Sequence, residues 1–127
     1  MKKAVLYGIG GLAVLCVVAL AAFLLWALNP SAPGPDALAA LQSDATVKVV
    51  DTGDYIAFVP RGQTAPTAFV FYPGGHVDYR AYSPILFRIA HKGYLVVLVR
   101  VKLCLAFFDI NAGLTAFDAY PEVQRWV

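Results

Sequence analysis

The chain has 127 residues, enough for one domain of ordinary size. Its formal charge of +2 comes from Lys2 and Lys3; every other basic residue is matched by an acid, so no basic stripe argues for nucleic acid. There are two cysteines, and Cys16 lies in an apolar run, which leaves Cys104 alone and excludes a disulfide scaffold.

Ala4 to Leu28 carries no charge and is almost wholly apolar. As a helix it would span about 37 Å, against roughly 30 Å of bilayer hydrocarbon. Lys2 and Lys3 precede it and Trp26 sits near its far end. The positive-inside rule then keeps the N-terminus cytoplasmic and exports the remainder. A cleaved signal peptide is the competing reading. Signal sequences have shorter apolar regions and a small-x-small cleavage site, and Leu28 to Pro35 holds three prolines instead. Leu15 before Cys16 is not the small residue that a lipoprotein would want. Gly8-Ile9-Gly10-Gly11-Leu12-Ala13 matches the dinucleotide-binding pattern but has neither a strand before it nor an acid at the right distance after it.

Residues 29–44 read as a proline-containing linker followed by a short helix from Asp36 to Leu41, capped by Asp36. Thr46 to Asp51 and Tyr55 to Val59 read as two strands of a hairpin around Thr52-Gly53-Asp54. Thr67 to Tyr72 is a third strand, continuously apolar as in a sheet covered on both faces. Arg80 to Lys92 shows a one-faced apolar stripe of Tyr82, Ile85, Leu86, Ile89 and Ala90, with Pro84 in its first turn and Gly93 at its end. Tyr94 to Val101 is a fourth strand. Lys102 to Ile110 reads as a loop or short helical turn, Asn111 to Ala119 as a helix, and Gln124 to Val127 as the start of a fifth strand. This order predicts an α/β fold, a doubly wound sheet with right-handed crossovers, over residues 45–127.

The stretch Phe71-Tyr72-Pro73-Gly74-Gly75-His76-Val77-Asp78, with Tyr82-Ser83-Pro84 and His91-Lys92-Gly93-Tyr94-Leu95-Val96-Val97, resembles the α/β-hydrolase fold family. The likeness is to its exported or membrane-anchored, dienelactone-hydrolase-like branch and extends from about Asp51 to Val127. The resemblance implies a serine hydrolase cleaving an ester or related acyl bond, with no cofactor. In such enzymes a Ser in G-x-S-x-G attacks the carbonyl, a His takes its proton, and two backbone amides hold the oxyanion. One amide comes from the loop after the third strand, which here is Gly74-Gly75-His76. G-x-S-x-G does not occur in this sequence; Ser31, Ser43 and Ser83 all lack the glycine context. The expectation is therefore the N-terminal portion of a hydrolase, with nucleophile, acid and triad His outside these residues.

Gly75 is the leading candidate for the oxyanion amide and His76 the next, with Gly74 lining the same loop. The bland alternative is a tight strand-to-helix turn. His76 as a general base would need a Ser, Cys or acid beside it. Asp78 reads as a cap for the helix that follows, and His91 as a cation suited to that helix's C-terminus. Tyr79 and Tyr82 either line a substrate pocket or pack at a sheet edge. Phe107 and Phe108 lie where the family places pocket walls, although Val101-Lys102-Leu103-Cys104 departs from the family's frequent Asp-x-x-Gly. Two distant histidines and one cysteine make no metal set. Two readings of another class stand beside the enzyme: a non-catalytic membrane-anchored interaction module, and an exported protein holding an anion at Gly74–Asp78.

Overall fold

A computed structural model describes residues 2–127. Helix α1 runs over Lys2–Ala27, and its segment Val5–Ala27 has a mean hydropathy of 2.6. None of that segment's most apolar window is buried, and the helix, which meets the domain near its C-terminal end, is long and apolar enough to cross a membrane. The glycine-rich Gly8–Ala13 segment lies inside this helix rather than at a strand-to-helix junction.

Helix α2 is Pro35–Ala39. Its cap is Gly34, and Asp36 falls in the first turn without capping. Pro35 explains the shift. A proline is preorganised for the first helical position, so the helix starts one residue before Asp36. The sheet then forms from β1 (Val47–Asp51), β2 (Tyr55–Pro60), β3 (Thr67–Phe71), β4 (Leu95–Val99) and β5 (Arg125–Trp126) in the order β1-β2-β4-β3-β5. Strand β2 is antiparallel to β1 and β4, while β3 runs parallel to β4 and β5. The expected 80–92 helix divides into a 3₁₀ turn, Tyr79–Tyr82, and α3, Ser83–Ala90, with Pro84 in the first turn of α3. Two more 3₁₀ turns, Lys102–Cys104 and Ala106–Phe108, precede α4, Leu114–Ala119.

Alternation along the strands sorts the side chains into two layers. Ile56, Phe58, Val96 and Leu98 face α3, which contributes Leu86 and Ala90. Tyr55, Ala57, Val97 and Val99 face the other way, toward Ala116 of α4. All five residues of β4 are buried, and each large apolar side chain so covered contributes about 1.5–3 kcal/mol. Helices on opposite faces make this the doubly wound α/β arrangement expected from the element order. The loops after β3 and β4 depart to opposite faces.

Candidate functional site

Pro73 is buried and ends β3, and the chain then surfaces at Gly74 and Gly75. Each amide of the next three residues has a different fate. Gly74 N–H donates to the Tyr82 hydroxyl at 3.2 Å. His76 N–H donates to the Cys104 carbonyl at 3.1 Å. Gly75 is an exposed residue, and its N–H has no hydrogen-bond partner among the described residues. Of the two amides favoured by sequence, the geometry thus leaves Gly75 open to a ligand and commits His76 to the protein.

Both glycines are needed for close approach. A Cβ on Gly74 would lie 2.6 Å from Tyr82 Oη, and one on Gly75 would lie 3.0 Å from Leu105 Cδ2. Tyr82, read from sequence as a pocket wall or packing, packs its ring on Phe71 at 4.9 Å and fastens the loop with its hydroxyl.

His76 adopts φ 57°, and Leu103 and Cys104 adopt 54° and 53°. Residues with side chains enter this left-handed region at a cost of about 1–3 kcal/mol each, and such strain gathers at functional sites. Here all three strained residues lie on the two loops joined by the His76–Cys104 hydrogen bond. The His76 ring stacks on Trp26, centroids 4.3 Å apart and planes 8° from parallel. Its Nε2 lies 2.9 Å from the Trp26 carbonyl oxygen. A carbonyl can only accept, so Nε2 carries the hydrogen and has no lone pair to act as a base toward a ligand. Ser31 N–H donates to the His76 carbonyl, and Asp78 N–H to the Ser31 carbonyl. The proline segment after α1 is therefore fastened across the loop. No sequence signal announced this clamp, because the spacing from Trp26 to His76 carries no periodicity.

Asp78 caps the 3₁₀ turn through Arg80 N–H at 2.9 Å and pairs with the Arg80 guanidinium at 2.7 Å. Those hydrogen bonds from Arg80 hold the Asp78 carboxyl below its usual range. Burial pushes the Cys104 thiol up, with Asp78 adding to the effect, so Cys104 is a thiol and not a ready thiolate nucleophile. Ser83 is fully buried with its hydroxyl unpartnered, which removes it as a nucleophile open to substrate. His91 lies away from the loop, 3.2 Å from Asp44 Oδ2 and 2.9 Å from Thr46 Oγ1.

Tyr79 does not join the glycine loop through any hydrogen bond among the described residues. It packs against the buried layer under α3, with the Arg100 guanidinium 5.1 Å from its ring, and burial raises its hydroxyl above the usual value. Arg100 in turn grips Asp51 at 2.7 Å. The arginine borders an open groove of about 440 Å³ whose lining also includes Asp54, Lys102, Asp109 and Thr115. A second groove, about 260 Å³, is lined by Tyr72, Ala106, Phe107 and Ile110. It places Phe107 beside β3's carboxyl end, while Phe108 stacks on Phe107 at 4.2 Å. Among the described residues no group of three metal-ligating side chains occurs.

Residues 68–127 match the alpha/beta hydrolase family. The match begins inside β3 and includes the glycine loop, α3, β4, all three 3₁₀ turns, α4 and β5. No curated protein and no solved structure matches the chain. The family resemblance seen in the sequence and the α/β architecture therefore stand together on this segment.

Proposed function

We propose that this chain supplies the carbonyl-oxygen-binding loop of a serine-type acyl hydrolase held at a membrane by α1. The single observation that carries the reading is the free Gly75 N–H, flanked by two amides already engaged. When a nucleophile attacks an ester carbonyl, negative charge develops on its oxygen. A fixed N–H aimed at that position stabilises the transition state more than the ground state. Tyr82 and Cys104 hold the neighbouring amides, so Gly75 N–H needs no reorganisation to serve. The nucleophile, the second oxyanion amide, the acid and the proton-accepting His are assigned outside these 127 residues, since no G-x-S-x-G is present. The substrate is a small acyl ester or related compound. Lys2 and Lys3, ahead of the apolar span at the start of α1, support a cytoplasmic N-terminus and an extracytoplasmic domain.

A fluorophosphonate probe applied to membranes of the source cells tests this. Labelled protein should yield the tryptic peptide Gly62–Arg80, which contains the loop, while the 127-residue chain by itself should stay unlabelled. If that peptide never accompanies a labelled serine, the hydrolase reading fails and the non-catalytic module takes its place. In the labelled protein, Gly75→Pro removes the N–H and should lower kcat by about 10²–10³-fold.

A further inference from the structure

Phe107, Phe108 and Ile110 are 66%, 47% and 71% exposed, an apolar cluster on one short segment of an otherwise charge-balanced domain. Continuity with α1 marks out what covers it. Phe108 meets Phe23 of α1 edge-on, ring centroids 6.5 Å apart. Phe23 lies within the Val5–Ala27 span, about 6 Å along the axis from its end. The cluster thus sits beside the last turn of the span, at the depth to which interfacial segments enter, ~5–10 Å below the headgroup boundary. Lys102 adds a cation at the same place, its side chain 76% exposed and 3.5 Å from Asp109. Such a side chain extends to the headgroups while its stem covers apolar surface.

We infer that the segment Ala106–Ile110 is a second membrane contact, seated in the lipid interface against α1. This rests on the reading of α1 as a membrane span and adds to it a fixed posture. The apolar groove of Tyr72, Ala106, Phe107 and Ile110 shares the docked segment, and Gly75 abuts Leu105 just before it. The acyl substrate of the proposed site is then an amphiphile taken from the bilayer rather than a solute.

The test uses the full chain in phosphatidylcholine vesicles brominated either near the glycerol or near the chain end. Trp26→Phe and Trp126→Phe clear the background, and a single Trp is placed at Leu15, Phe107 or Tyr94. Tyr94 is the control, at the opposite end of β4 from the loop. The Trp at 15 should lose most of its emission to deep bromines, the one at 107 to shallow bromines, and the one at 94 to neither. Quenching at 15 without quenching at 107 overturns the inference and leaves the span intact. In that case blue-shifted emission at 107 means a protein surface, such as a second copy, covers the cluster, and red emission means water does. No quenching at 15 removes the span and the inference with it.

Discussion

The behaviour of the glycine loop is decided by single atoms. Gly74→Ala would put a methyl 2.6 Å from Tyr82 Oη, so either the loop or the tyrosine must move. The variant should lose the Gly74–Tyr82 hydrogen bond, worth about 0.5–1.5 kcal/mol, and show faster amide exchange over residues 74–78. Tyr82→Phe should reproduce the exchange effect without the steric one. Asp78 gives the acid dependence a sign. Its carboxyl is held low in the fold by Arg80, so the pair's stabilisation is complete above the unfolded value, about 3.9, and fades as pH falls through the lower folded value. Thermal melts should therefore drop below about pH 4, and Asp78→Asn should flatten that part of the profile.

Among the elements, α4 and β5 depend on one another. Gly113 lies where a Cβ would be 2.7 Å from Val70 Cγ1, and its N–H donates to the Tyr72 hydroxyl at 3.0 Å. Gly113→Ala should cost about 1–3 kcal/mol in chemical denaturation, because α4 must back away from the sheet. Phe117 of α4 packs on Trp126 of β5, ring centroids 4.4 Å apart. Phe117→Ala and Trp126→Ala should be non-additive by about 0.5–1.5 kcal/mol in a double-mutant cycle. Most elements were legible because their signals are local. β4 is a continuous apolar run, α3 an apolar stripe with a proline at its start, and Thr52-Gly53-Asp54 a turn. Less legible was whatever depends on distant partners. Asp36 lost the cap to Gly34 because Pro35 fixed the helix start, and His91 found Asp44 and Thr46 in the turn before β1. The loop was recognisable from Gly74-Gly75 after a buried strand, yet which of its amides stays free depends on Cys104 and Tyr82. No spacing rule connects those residues to it.

At the scale of the whole molecule, α1 is long and apolar enough to cross a membrane, while the charged residues other than Lys2 and Lys3 lie in the rest of the chain. Alkaline extraction of membranes carrying the full chain should leave it in the pellet, and Leu15→Arg, at about +2.5–3.5 kcal/mol for a charge at the bilayer centre, should shift it toward the supernatant. The two parts meet at Trp26, His76, Ser31 and Val77. His76→Ala should leave α1 in the membrane but loosen residues 74–78 in hydrogen exchange, which separates anchoring from loop fastening.

The segment between helix and sheet has three prolines, the composition of a spacer. Yet the backbone bridge from Ser31 to Val77 leaves it no slack. A domain on a slack leash sweeps a hemisphere and samples every heading. This one is pinned to its helix at Ser31, just after the end of α1. On the proposed reading of α1 as a membrane span, its own travel is set by lateral diffusion in the plane.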